Sequence, residues 1–124
     1  MIDFKNPQYI KLHPCEKAGF LDFVADILAS GEEICYTFKS IRDGIVFTNK
    51  RLIVISTEGV TGKKKDITSL PYSKIQSFSV ETSGVFDIDS ELQLWFSGLG
   101  PVKLEFSSSA SIKEVCRTIS EYVL

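Results

Sequence analysis

Asp43–Thr57 reads DGIVFTNKRLIVIST, and this stretch decides the fold. Two runs rich in β-branched and apolar residues, Ile45–Thr48 and Leu52–Thr57, flank a short polar turn at Asn49-Lys50, and Asp43-Gly44 punctuates the entry. β-Branched and aromatic side chains suit a pleated, half-buried surface, and short turns of this kind join antiparallel strands. The pattern predicts a β-hairpin. Its second arm is apolar on both faces, with Leu52 and Val54 on one side and Ile53 and Ile55 on the other. Such a strand must be central or covered on both sides.

The same period-two patterning extends in both directions. Upstream, Ile34, Tyr36 and Phe38 alternate with Cys35, Thr37 and Lys39. Downstream, a glycine-rich turn at Glu58–Gly62 precedes a weaker strand, Lys64–Leu70, closed by Pro71. Ile75–Glu81 follows, then a polar loop, Thr82–Ser90. In the next run Leu92, Leu94 and Phe96 alternate with Gln93 and Trp95. A turn at Gly98–Pro101 leads to Val102–Phe106. Seven short strands are thus expected within residues 32–107. Short strands with turn signals at this spacing predict an antiparallel sandwich or barrel.

A helix is predicted on each side of the strands. Residues 1–13 read as extended, bounded by Pro7 and Pro14. Residues 15–30 place Phe20, Leu21, Phe23, Val24, Ile27 and Leu28 on one broad helical face, with Asp22 and Asp26 opposite. Pro14 suits a first helical turn, and Gly31 the position just past the end. Over residues 111–124, Ser111 and Glu114 match a capping box, and Ile112, Val115, Cys116, Ile119 and Val123 form a narrow apolar stripe. A terminal helix of this kind can plug the open end of a curved sheet by burying its stripe there.

Composition excludes several functions. A chain of 124 residues makes one domain and can bury a sufficient core without a metal or disulfide staple. A net charge of −2 argues against non-specific nucleic-acid binding, which needs a strongly positive field. Cys15, Cys35 and Cys116 are odd in number, scattered and without a CxxC, which reads as reduced thiols in a cytoplasmic protein. The N-terminus has no signal-peptide pattern, and no apolar run approaches the ~18 residues of a membrane span.

Seven segments in order carry a family resemblance. They are Ser30–Ile34, Phe38–Asp43, Phe47–Ile53, Gly59–Lys64, Leu70–Tyr72, Phe78–Thr82 and Glu91–Trp95. Together with a closing helix they resemble the stand-alone bacterial pleckstrin-homology-like domains, across about residues 15–124. The resemblance implies a mainly β, PH-like seven-stranded antiparallel barrel or sandwich. It has a C-terminal capping helix, to which this chain adds an N-terminal one. The resemblance further implies no known catalysis and a tendency to form symmetric ring homo-oligomers. It brings no established ligand. Some eukaryotic members bind phosphoinositides or peptides, but a shared fold does not transfer a function.

Residues with chemical potential each have a plain structural reading. Gly59–Lys64 lacks the spacing, the Lys-Ser/Thr pair and the following helix of a phosphate-binding loop. Lys39, Arg42, Lys50, Arg51 and Lys63–Lys65 form a basic cluster, from which Lys39, Arg42, Lys63, Lys64 and Lys65 are the candidate anion-binding residues. Asp87–Glu91 fails the calcium-loop pattern. His13, the sole histidine, has no local nucleophile to serve and reads as a surface residue. Cys15 lies near the predicted helix start, which could lower its pKa.

Alternation turns Trp95 outward, and an outward Trp is a frequent interface anchor. The first helix carries more apolar surface than a barrel closed by the last helix needs. Phe20, Phe23, Val24, Ile27 and Trp95 are therefore the candidate interface residues, with packing of the helix on the outer sheet as the intramolecular alternative for its own residues. The expected function is a non-catalytic self-assembling or interaction module without cofactor or metal, open to a protein or peptide partner. The alternative is a membrane adaptor that reads anionic headgroups through the lysine-rich loops.

Overall fold

The central hairpin forms as expected. Strands β3 (Gly44–Thr48) and β4 (Arg51–Glu58) pair antiparallel, with Val46 opposite Ile53 and Phe47 opposite Leu52. The structure is a computed structural model that describes residues 4, 12–15, 21–41, 43–58, 64–82, 90–107 and 111–124. Asn49 stitches the hairpin turn to the chain ahead of it. Its Oδ1 accepts from the Glu33 N–H at 2.8 Å, and its Nδ2 donates to the Gly31 carbonyl at 3.1 Å. Gly31 has φ +78°, a left-handed conformation that glycine adopts without a side-chain clash.

Around the hairpin lie β1 (His13–Pro14), α1 (Leu21–Ile27), β2 (Ile34–Lys39) and β5 (Lys64–Pro71). A 3₁₀ turn at Tyr72–Lys74 then leads into β6 (Ile75–Glu81), β7 (Ser90–Phe96), β8 (Gly100–Phe106) and α2 (Ile112–Val123). The strands form a five-stranded sheet in the order β1-β2-β3-β4-β5 and a three-stranded sheet in the order β6-β7-β8. Every ladder is antiparallel. Among the described residues the fold is mainly β, with two helices.

Four expectations need correction. Among the described residues the strands number eight instead of seven, and of the expected barrel or sandwich it is the two-sheet arrangement that forms, not a closed barrel. Pro14 is not in a helix. It lies in the short edge strand β1, opposite Phe38, where a residue without an N–H removes no interior ladder bond. The Cys15 N–H continues this edge by donating to the Thr37 carbonyl at 3.0 Å. The described part of the first helix covers only Leu21–Ile27 of the expected 15–30. Its C-terminal limit is set by the Glu32 carboxylate, which accepts the Ala29 N–H at 2.9 Å, and by the turn at Gly31. Finally, Ser111 stands at the N-cap of α2 but makes no side-chain capping bond, so the capping box does not form.

Leu12 joins the two sheets along one side. Its N–H donates to the Glu105 carbonyl at 2.9 Å, and its carbonyl accepts the Ser107 N–H at 3.0 Å. This isolated parallel bridge to Phe106 hands the chain from the edge of β8 to the edge of β2. Leu12 is fully buried in the main core with Phe38, Phe47, Leu94 and Leu104. Phe38 meets Phe47 and Phe106 edge-on, at centroid separations of 5.9 and 4.9 Å. Such pairs add about 0.5–1.5 kcal/mol each beyond area burial.

Both faces of β4 are covered. Leu52 and Val54 enter the main core, while Ile53 and Ile55 join Val46 in a second cluster beneath Val24 of α1. Helix α1 therefore packs on the outer face of the five-stranded sheet. Helix α2 closes one end of the sandwich, burying Val115 and Ile119. At ~1.5–3 kcal/mol per buried side chain these two contribute about 3–6 kcal/mol. No helix among the described residues is long and apolar enough to cross a membrane.

Candidate interaction surfaces

The two sheets present different outer faces. On the five-stranded sheet α1 supplies the cover, and Val24 is fully buried by it within the same chain. Val24 is thus core, held intramolecularly, because the outward row Val46, Ile53 and Ile55 needs an apolar lid. Ile27 is half-buried and Phe23 is 52% exposed. Phe20 lies outside the described residues.

On the three-stranded sheet Phe78, Leu92 and Leu94 turn toward the core or pack against it, so the intervening residues of β6 and β7 face out. Register sets this outer face in three rows. Ser77, Trp95 and Pro101 form one, Ser79, Gln93 and Lys103 the next, and Glu81, Glu91 and Glu105 the third. Trp95 is 44% exposed. The short side chains of Ser77 and Ser79 leave a recess of about 200 Å³ beside the indole. Of this face it is the exposed Trp95 that matches the aromatic enrichment of interface centres.

Among the described residues the basic candidates do not converge on one site. Lys39 of β2 aligns with Gly44, Ile55 and Ile67 across successive strands, so it stands three strand spacings, about 14 Å, from β5 and Lys65. Lys39, Lys64 and Lys65 are exposed. Arg42, Lys63 and the rest of the glycine-rich turn lie outside the described residues, as does most of the Asp87–Glu91 stretch.

Arg51, read from sequence as part of that cluster, is committed elsewhere. Its Nε and Nη2 donate to the two Glu32 carboxylate oxygens, both at 2.9 Å. Nη2 also donates to the Ile27 carbonyl and Nη1 to Ser69 Oγ. Thr48 Oγ1 donates to Glu32 Oε2 at 2.6 Å. The Glu32 side chain is 1% exposed. Its burial alone would raise the carboxyl pKa, but hydrogen bonds from Arg51, Thr48 and Ala29 overcome this and hold it below the ordinary value. The network ties α1, the turn at Gly31 and the hairpin together. It escaped the sequence reading because Glu32 and Arg51 are 19 positions apart and form no local motif.

Cys15 and Cys35 share a groove of about 470 Å³ between β2 and α2, with Tyr36 and Glu114 on its walls. Burial pushes both thiols up, against a smaller pull from Lys39 at Cys15 and with a further push from Glu33 at Cys35. The expected lowering of the Cys15 pKa is therefore corrected to a rise, since Cys15 is partly buried directly after β1. Protonated thiols are weak nucleophiles. His13 is exposed on β1.

Comparison with known proteins agrees with this architecture. The family model for the bacterial PH domain matches residues 4–123. The chain is similar to the uncharacterized protein YjqA of Bacillus subtilis, with 46% identity over 105 residues, covering 83% of this chain and 84% of that one. It is also similar in structure to a DUF1696-family protein with a pleckstrin-homology domain from Shewanella loihica. That match has a TM-score of 0.80 and 37% identity, and it covers 93% of this chain and 99% of the other. A pleckstrin homology domain from Shewanella amazonensis matches with a TM-score of 0.65 and 40% identity, over 89% and 92% of the two chains. With two antiparallel sheets closed at one end by α2, and with this likeness along nearly its whole length, the chain belongs to the bacterial PH domain family.

Proposed function

We propose that this protein is a non-catalytic interaction module that associates with copies of itself through the outer face of its three-stranded sheet. The observation that carries the reading is the exposed Trp95, set beside Pro101 and the recess at Ser77 and Ser79. Trp is enriched at the energetic centres of interfaces, where it offers much apolar area for little conformational entropy. The contrast with the five-stranded sheet supports it, since α1 already covers that outer face. The non-catalytic part is supported by the use of Glu32, Thr48 and Arg51, whose polar atoms are engaged in holding the hairpin. Head-to-tail contacts repeated around an axis close into a ring, the assembly that the family resemblance implies.

Sedimentation of the wild type and of Trp95→Glu over a concentration series tests the proposal. A mass well above the 13.9 kDa of one chain is expected for the wild type, falling toward that value in the variant. A wild type that sediments as a single chain throughout refutes it.

A further inference from the structure

The two thiols that share the groove between β2 and α2 come from different strands. Cys15 follows β1, and its N–H donates to the Thr37 carbonyl at 3.0 Å. With His13 opposite Lys39 and Pro14 opposite Phe38, Cys15 falls opposite Thr37. Cys35 stands two residues before Thr37, at the bulge between Ile34 and Tyr36, where β3 supplies it no register partner. Bulges re-aim side chains. Both cysteines are free and both line the groove. Cys116, the third thiol, lines a different groove beside Val80 of β6.

Distance selects the chemistry. Diagonal neighbours across an antiparallel pair have Cα atoms about 7–8 Å apart. A disulfide usually needs a Cα separation of about 4.4–6.8 Å. A metal ion between the sulfurs replaces one ~2.05 Å bond with two of about 2.3 Å, which extends the reach by about 2.5 Å. Burial pushes both thiols up, which disfavours oxidation and alkylation, since these start from the thiolate. A bound metal ion deprotonates its thiol ligands itself.

Ligand number selects the ion. Among the described residues no three His, Cys, Asp or Glu side chains are grouped to hold a metal. Structural zinc takes four protein ligands and catalytic zinc three, more than the described residues offer. Soft thiolate ligands select copper(I), a closed-shell ion that is stable with two sulfur neighbours. Pro14, Phe38 and Val115 give the groove apolar walls. Glu114, the one charged residue among its described lining, carries the sign that suits a cation.

We propose that Cys15 and Cys35 bind one copper(I) ion between them as a two-coordinate dithiolate. Two copper–sulfur bonds form, two S–H bonds break, and both protons leave to solvent, so no electron changes hands. The site shares no residue with the Trp95 face, so it stands or falls separately from self-association.

In the test, the full chain is titrated without oxygen into the coloured copper(I)–ferrozine complex, with ascorbate as reductant. One copper per chain should leave the chelator. X-ray absorption of the loaded protein should show sulfur neighbours alone around the copper. Cys15→Ser and Cys35→Ser should each weaken binding at least hundredfold, while Cys116→Ser should bind as the wild type does. Stoichiometry and the sulfur-only shell are read on the wild type, so they decide the case even where a serine variant fails to fold. No copper withdrawn, one copper per two chains, nitrogen or oxygen in the copper shell, or equal weakening by Cys116→Ser would each overturn the proposal.

Discussion

Glu32 and Arg51 show how a loop acid and a hairpin base become one structural unit. The side chain of Glu32 is almost fully buried, and its two oxygens accept four hydrogen bonds from Arg51, Thr48 and the Ala29 backbone. Removing one partner of such a pair leaves a buried charge uncompensated, at about 3–5 kcal/mol. Arg51→Ala should lose that much stability in urea unfolding. Arg51→Lys should recover only part of it, because an ammonium cannot span both oxygens as the guanidinium fork does. The Glu32 carboxyl lies below its ordinary value in the folded chain, so its contribution is complete above the unfolded value, about 4.3. Stability should therefore decline as pH falls below that point, and the decline should be shallower in Glu32→Gln. Tyr72 gives the opposite case. It is 2% exposed, its hydroxyl has no hydrogen-bond partner among the described residues, and burial pushes that hydroxyl's pKa well above its ordinary value. Tyr72→Phe should leave stability unchanged or raise it by up to about 1–3 kcal/mol in the same assay.

Element identity was largely legible where the pattern was periodic. Alternation located the strands from Ile34 onward, and the stripe Ile112, Val115, Ile119 located α2, because burial on one face imposes a period on the sequence. The two-sided apolarity of Leu52–Ile55 also correctly required a cover, which α1 provides. What was not legible depends on partners distant in sequence. Leu12, His13 and Pro14 have no alternating pattern of their own, and they become an edge strand only because β2 and β8 offer open backbone groups. The failed capping box at Ser111 has the same origin, since a motif states an opportunity that the approaching chain can decline. Pairing also brings Glu81, Glu91 and Glu105 side by side across β6, β7 and β8. Like charges directly opposite one another oppose sheet formation. Glu91→Lys at the centre of this row should stabilise the sheet by about 0.2–1 kcal/mol, read from the midpoint of thermal unfolding. Ile119→Ala in α2 should instead cost about 2–5 kcal/mol, since the side chain is fully buried at the capped end.

For the whole molecule, the arrangement divides labour between two sheets. The five-stranded sheet is covered by α1 and locked through Glu32 and Arg51, while the three-stranded sheet leaves Trp95 facing solvent. The sequence signalled the outward Trp through simple alternation, but it could not say on which outer face the first helix would pack. That depends on the pairing of Val46 with Ile53, which sets an apolar row for Val24 to cover. Trp95 is the single tryptophan of the chain, so its fluorescence reports on its own face without interference. The most direct test is emission and acrylamide quenching followed through serial dilution of the unmodified protein. Association through this face predicts blue-shifted, quencher-protected emission at high concentration that moves to red-shifted, readily quenched emission on dilution. Red-shifted and freely quenched emission at every concentration would contradict it.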